Sequence, residues 1–337
     1  MVVQSNNALM KIALESAWAY QGLTFPNPAV GAVLSNDNGD IISVGVHKMA
    51  GSPHAEVEVL KGAYMKLTGD KRLETIQNSA DIHTFLSSHH NGIFSPFTLH
   101  VTLEPCHHHG KTPPCSQLIK TLGIKKVVIG SRDLSVHAQG GGAFLESNGV
   151  KVVWDCLQKE CDELLSPFLV WQNHQPFVFF KLALSKNGVA SGGIITSESS
   201  RTMVHRLRDK CDLLVIGGNT VRTDRPLLDA RLCDGSAPDV LIYSRHNDFD
   251  TSIPLFSVKN RKVLIESSLE KVGKYKMVMV EGGQEMLKSI ENDVQWYLIF
   301  TSPHLKEGNK VTLPSHLREI FSQKIGEDTM TWYKKDA

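Results

Sequence analysis

Two consecutive α/β units are what this sequence predicts. With 337 residues the chain is long for one core and comfortable for two. Strand-like apolar runs alternate with helical segments along its whole length, the pattern of layered sheets with helices on their faces. A break in character falls at 156–175, where a helical run passes into Pro167, Trp171, Asn173 and His174 and stops at Pro176. The expected partition is a first unit over 1–150, a connecting segment over 151–175 and a second unit over 176–337.

The elements follow from local pattern. Leu9, Ile12, Ala13 and Ala17 recur at helical spacing and Gly22 stops the run, which predicts an opening helix. Runs at 29–34 and 41–46, separated by a turn containing Asn38-Gly39, predict a hairpin. A helix is expected over 55–66, a strand over 100–103, a helix over 115–122, and strands over 126–129 and 150–154. In the second unit strands are expected at 177–184, 213–216, 240–243, 262–265, 277–280 and 296–300, with helical segments between several of them.

Composition narrows the function classes. The chain carries 36 basic and 35 acidic residues, a net charge of +1. It therefore has no general positive field to gather nucleic acid or an anionic membrane, and a small-molecule substrate is favoured. No stretch reaches the length of apolar sequence that crosses a bilayer, and the first residues lack the basic-then-apolar order of a signal peptide, so a cytoplasmic location is expected. Of six cysteines, Cys156, Cys161, Cys211 and Cys233 lie in apolar or mixed segments and read as small buried hydrophobes rather than a disulfide framework.

The chemistry is concentrated in His54-Ala55-Glu56 and in Pro105-Cys106 with Cys115. One imidazole and two thiolates supply three ligands for zinc, and a catalytic zinc keeps three protein ligands with its fourth position left to water. Glu56, two residues from the ligand His54, is placed to carry protons, the arrangement of the zinc-dependent hydrolytic deaminases. His54 and Cys115 both fall at predicted helix starts. A closed structural zinc, completed by His107, His108 or His109, is the plainer alternative, but it gives Glu56 no role. Between the cysteines lie eight residues, including those three histidines and Lys111. Such cationic and imidazole donors suit a phosphorylated substrate.

The segment Pro-Cys-x-His-x-Gly-Lys-Thr-Pro-Pro-Cys over 105–115 resembles the family of bifunctional riboflavin biosynthesis proteins, in which a pyrimidine deaminase is fused to a reductase. Further matching stretches are Asn27-Pro28-Ala29-Val30-Gly31, Gly45-Val46-His47, Pro53-His54-Ala55-Glu56-Val57 and Asp133. In the second unit the resemblance continues through Lys181-Leu182-Ala183-Leu184-Ser185, Ser199-Ser200-Arg201, His205-Arg206-Leu207-Arg208, Gly217-Gly218-Asn219-Thr220-Val221, Asp224-Arg225-Pro226 and Glu281-Gly282-Gly283. It covers nearly the whole chain.

The resemblance implies a cytidine-deaminase-like α/β/α layered domain followed by a dihydrofolate-reductase-like α/β domain, with Zn²⁺ and NADPH as cofactors. It puts Asn27, His47, His108, Lys111 and Asp133 at the deaminase substrate, and Ala183, Thr220, Asp224 and Gly283 at NADPH. Arg208, Leu228, Arg231 and Glu281 fall at the sugar phosphate. A homo-oligomer is compatible with it. The implied reactions are removal of the 2-amino group of 2,5-diamino-6-ribosylamino-4(3H)-pyrimidinone 5′-phosphate and reduction of its ribosyl group to ribityl.

Several positions depart from the family pattern. Asn187 stands where an aspartate is common, Ile194 where a tryptophan is expected, and Arg225 where an acid is frequent. Leu134-Ser135-Val136-His137 replaces a usual Pro-Asn-Pro, and an extra polar segment occupies about 66–95. Two rivals stand beside the main reading at this level. One is a deaminase of another nucleotide, nucleoside, base or tRNA with an unrelated or degenerate second domain. The other is a zinc-stabilised binding protein without turnover.

Overall fold

The computed structural model describes residues 5–108, 113–135 and 139–336. The chain divides into two compact units, Met1–Leu169 and Val170–Ala337, so residues 151–169 group with the first.

The first unit opens on α1 (Asn6–Trp18), whose N-terminus is capped by Ser5 accepting from the Ala8 N–H. A hairpin follows, β1 (Gly31–Ser35) and β2 (Ile41–Val46), then α2 (Ala55–Thr68), α3 (Ser79–His89), β3 (Thr98–Leu103) and α4 (Cys115–Thr121). It continues through β4 (Lys126–Ser131), α5 (Gly141–Ser147), β5 (Lys151–Val153) and α6 (Gln158–Gln172), which runs across the division between units. The sheet order is β2-β1-β3-β4-β5. β1 is antiparallel to both neighbours, whereas β3, β4 and β5 are parallel. β1 and β3 are buried along their whole length, which accounts for their continuous rather than alternating apolar character.

Gly45 sets how closely α2 approaches this sheet. A Cβ there would fall 2.3 Å from the Val59 nitrogen and 2.5 Å from the Ala55 carbonyl oxygen, so any side chain would push away the helix that begins beside His54. The extra segment near 66–95 contributes α3, capped by Asn78 accepting from Ala80 and Asp81 N–H. α3 turns Ile82, His83 and Leu86 inward, and Leu73 and Phe94 on either side of it join the same core. It packs on α2 and α4, the two helices whose starts carry metal-ligand candidates.

The second unit contains β6 (Phe177–Leu184), α7 (Glu198–Lys210), β7 (Leu213–Gly217), α8 (Gly218–Asp224), β8 (Asp239–Tyr243) and β9 (Val263–Glu266). After these come β10 (Met277–Glu281), α9 (Gln284–Ser289), β11 (Trp296–Thr301), β12 (Leu317–Ile325) and β13 (Asp328–Lys335). Its sheet runs β12-β13-β11-β6-β10-β7-β8-β9. The six strands from β11 to β9 are parallel, and the β12–β13 hairpin adds an antiparallel edge. That hairpin was not expected from the sequence. β12 reads Leu-Arg-Glu-Ile-Phe-Ser-Gln-Lys-Ile with no fully buried position, so it lacks the apolar run that marks the inner strands.

Three of the four cysteines read as structural, Cys156, Cys161 and Cys211, are buried free thiols, and Cys233 is half-buried. Among the described residues no helix is long and apolar enough to cross a membrane.

Candidate active sites

His54, Cys106 and Cys115 converge although 52 and 61 residues separate the histidine from the cysteines. His54 is the N-cap residue of α2, Cys106 follows β3, and Cys115 is the first residue of α4. The His54 Nδ1 atom lies 3.8 Å from Cys106 Sγ and 3.5 Å from Cys115 Sγ, and all three ligand atoms fall within 4.8 Å of one another. Ideal tetrahedral bonds to zinc would separate nitrogen from sulfur by about 3.6 Å and the sulfurs by about 3.8 Å. The donor set therefore fits a zinc ion in both chemistry and spacing.

Charge is tightly coupled in this cluster. Hydrogen bonding from Cys115, and then from His54, draws the Cys106 thiol down to about 4 against its burial, while the Cys115 thiol is pushed well above its ordinary value. Burial lowers the His54 imidazole, but its hydrogen bond to Cys106 and the nearby negative charges carry it up to about 9. A thiolate stabilised at neutral pH is the form that binds a metal. Glu56, in the first turn of α2, is 4% exposed, and burial pushes its carboxyl up to about 7. Its hydrogen bond with Cys115 puts it against the ligand cluster. A carboxyl poised near neutrality can both take and return a proton.

Asn27 and His47 come together in the structure. The His47 ring accepts from Asn27 Nδ2 at Nε2, 3.1 Å away, if its Nδ1 donates to the Pro53 carbonyl at 3.1 Å. Burial lowers His47 to about 4, so it is neutral at pH 7 and this tautomer satisfies both neighbours. The ring stands edge-on to His54 with centroids 5.5 Å apart, which brings Asn27 and His47 to the metal cluster. Asp133 is buried just past β4. His107 turns away from the metal position: it hydrogen-bonds Ser116 Oγ at 2.9 Å and stacks on Phe144. His108 is exposed. Among the described residues the cluster contains only the three ligands; Lys111 and His109 lie outside the described residues.

In the second unit, strand register gathers a different site. Glu281, at the end of β10, pairs with Lys181 on β6 and with Ile216 on β7. Its carboxylate holds Arg208 of α7 through bonds of 2.8 to 3.0 Å and lies 3.6 Å from Lys181 Nζ. Burial alone would raise the Glu281 carboxyl, but Arg208 and Lys181 outweigh it and bring it down to about 2. Arg208 also donates to the Asp229 carbonyl, whose side chain bonds Arg231 at 2.5 Å. Leu228, beside Asp229, is buried with φ +56°. The four expected sugar-phosphate residues are thus brought into one neighbourhood. Ala183 on β6, Thr220 and Asp224 in α8, and Gly283 before α9 lie at or just past the carboxyl ends of the adjacent strands β6, β7 and β10. Open α/β sheets bind ligands at that edge.

Comparison with known proteins finds a family match in each half of the chain. Residues 3–131 match the cytidine and deoxycytidylate deaminase zinc-binding region, and residues 176–326 match the RibD C-terminal domain. The chain is 32% identical to riboflavin biosynthesis protein RibD of Aquifex aeolicus over 343 residues, 96% of this chain and 86% of that protein. The chain belongs to the RibD family. RibD of Synechocystis is 33% identical over 268 residues, a match that spans 77% of this chain and 65% of the relative. The crystal structure of a diaminohydroxyphosphoribosylaminopyrimidine deaminase/5-amino-6-(5-phosphoribosylamino)uracil reductase from Thermotoga maritima aligns over 98% of this chain and 99% of its own, with a TM-score of 0.64 and 26% identity. RibD of Acinetobacter baumannii shares the fold at a TM-score of 0.62 and 21% identity. As in other RibD proteins, a deaminase domain with a zinc-binding region precedes a reductase domain.

Two departures from the RibD pattern acquire a structural account. Asn187 accepts from the Ser185 hydroxyl and the Lys306 N–H and donates to the Lys306 carbonyl, so its amide ties the turn after β6 to the 306 loop. An ionised aspartate could not make the donation. Arg225, in the left-handed region at the end of α8, pairs with Asp250 and Ser252 and is exposed. Ile194 is 68% exposed, and nothing in the structure explains its replacement of tryptophan. The sequence reading gave no role to Lys181, although a lone charge within an otherwise apolar strand was the signal available.

Proposed function

We propose that the first unit removes the 2-amino group of 2,5-diamino-6-ribosylamino-4(3H)-pyrimidinone 5′-phosphate and that the second reduces the ribosyl group of the product to ribityl with NADPH. His54, Cys106 and Cys115 would hold zinc, which when bound would supply Lewis acidity for hydrolysis at the amino-bearing ring carbon. Glu56 takes a proton from the attacking water and delivers protons to the ring nitrogen and the departing ammonia. Asn27, His47 and Asp133 orient the base and ribose, and His108 and Lys111 meet the phosphate.

In the reductase domain Ala183, Thr220, Asp224 and Gly283 would hold NADPH, which when bound would supply a hydride for C1′. Arg208 and Arg231, with Leu228 and Glu281, receive the sugar phosphate. The half-buried group of Lys181, Arg208 and Glu281 carries two positive charges and one negative, and its residual positive charge suits a phosphate ester.

The observation that carries this reading is the pair of 3.5 and 3.8 Å separations of His54 Nδ1 from the two thiols, with buried Glu56 beside them. The test is an assay that follows ammonia release and NADPH absorbance with the pyrimidine phosphate as substrate. Ammonia first and NADPH oxidation afterwards are expected. Release of ammonia from cytidine or guanine, with none from the pyrimidine phosphate, would overturn the substrate assignment.

A further inference from the structure

The end of β3 carries a carboxylate that the proton chemistry does not use. β3 and β4 are parallel neighbours with Leu103 paired to Ser131, so their carboxyl ends stand side by side. Glu104 extends that pairing, its N–H donating to the Ser131 carbonyl at 2.8 Å. Its side chain, in a residue 7% exposed, then accepts three backbone N–H groups from the far side of β4. Oε2 accepts from Asp133 at 3.1 Å, and Oε1 accepts from Gly140 at 3.1 Å and Gly142 at 2.9 Å. One carboxylate therefore holds the chain just past β4 and the chain entering α5.

A second contact fixes the same segment to the metal side. A Cβ on Gly141 would fall 1.7 Å from the Pro105 carbonyl oxygen, so the start of α5 lies directly against the backbone that leads into Cys106. Gly140 sits at φ +96°, a conformation that turns its N–H and the next ones toward Glu104 without the strain an L side chain would add. Cys106 is one flank of this arrangement and Asp133 the other, and Glu104 is bonded across the gap between them.

We propose that Glu104 is a positioning residue for deamination, which sets the location of Asp133 relative to the metal ligands through its bonds to Asp133, Gly140 and Gly142. This rests on the assignment of the first unit as the deaminase and of Asp133 to its substrate. Charge-assisted acceptance of three N–H groups gives the carboxylate a hold on the segment that no neutral side chain reproduces. In Glu104→Gln one oxygen becomes an NH₂ group, which must face at least one N–H donor and cannot accept from it. The metal ligands themselves are untouched.

The experiment compares the zinc-loaded full chain as wild type, Glu104→Gln, Asp133→Asn and the double variant. Zinc content is expected to stay at the wild-type level in all four. Glu104→Gln should raise KM for the pyrimidine phosphate about tenfold while kcat changes less than about threefold. Added to Asp133→Asn, the same substitution should change KM less than about twofold, because residues that act through one another are not additive. Hydrogen exchange offers a reading independent of turnover: the amides of Asp133, Gly140 and Gly142 should exchange about tenfold faster in Glu104→Gln. Equal KM increases in the wild-type and Asp133→Asn backgrounds, or unchanged exchange at those amides, would overturn the proposal. A wild-type chain that releases no ammonia would instead overturn the functional reading on which it stands.

Discussion

Glu56 and Glu281, one from the site of each unit, are both withdrawn from solvent, and their carboxyls are driven in opposite directions. Glu56 meets burial with too little positive charge to offset it and rises to about 7. Glu281 is half-buried, with Arg208 and Lys181 against it, and falls to about 2. The first can exchange protons at neutral pH; the second is a fixed charge that holds two cations in place. Burial raises a carboxyl in either unit, and the number of cations in contact decides which task it is fit for.

The comparison is broken most severely by substitutions at the metal cluster. Glu56→Ala should lower deamination by about 10²–10⁴ with zinc retained, since the residue moves protons and is not a ligand. His54→Ala and Cys115→Ala should lose zinc as well, and NADPH oxidation with deaminated substrate should survive all three. Metal analysis beside the two assays separates these outcomes. Zinc loss from Glu56→Ala would show that the carboxylate is a ligand after all.

Next in size is the stability contrast between the glutamates. Glu281→Gln strands Arg208 and Lys181 without their counter-charge and should cost about 3–5 kcal/mol in urea unfolding of the reductase domain. Glu56→Gln removes a carboxylate that burial disfavours, so its unfolding midpoint should be unchanged or higher. Equal losses would mean that the two carboxylates are not opposed in the way their neighbours suggest.

Acid sharpens the same contrast. The Glu281 carboxyl is depressed in the folded state from 4.5 to about 2, so its contribution is fully present above pH 4.5 and is lost as pH falls toward about 2. The shift corresponds to about 3 kcal/mol. Stability of the reductase domain measured between pH 5 and 2 should fall with that slope, and Glu281→Gln should flatten it. The smallest effect belongs to His83 of α3. Its Nε2 is buried and has no hydrogen-bond partner among the described residues, and burial lowers the ring to about 4. His83→Leu should therefore be neutral or stabilising by up to about 1 kcal/mol. A loss of several kcal/mol would reveal a partner for that nitrogen.

The two sites differed in how far the sequence revealed them. His54 and Glu56 lie within one turn of a helix start, and Cys106 and Cys115 bracket one loop, so short-range spacing exposed the metal cluster before any fold was known. The reductase group depends on strand register: Lys181 and Glu281 are exactly paired only once β6 and β10 lie side by side. Lys181 stood inside a recognised stretch but had no role there, because its partner lies a hundred residues away in sequence. The inner strands were legible because parallel strands buried on both faces read as unbroken apolar runs, whereas β12 is a polar edge and β13 breaks its buried Met330 and Trp332 with threonines and lysines. Glu104 stands two residues before a recognised ligand and had no role in the sequence, because its partners are backbone N–H groups that no side-chain pattern encodes. The segment at 66–95 looked merely polar, since only a few of its residues turn inward to pack on α2 and α4.

That inserted helix bears on how the protein handles its metal. α3 packs on both α2 and α4 and so braces the two helices whose starts carry His54 and Cys115. Capture of zinc should then resemble filling a rigid socket rather than condensing a loose chain, and a chelator should strip the ion while leaving the circular-dichroism spectrum and the melting transition of the first unit largely as they were.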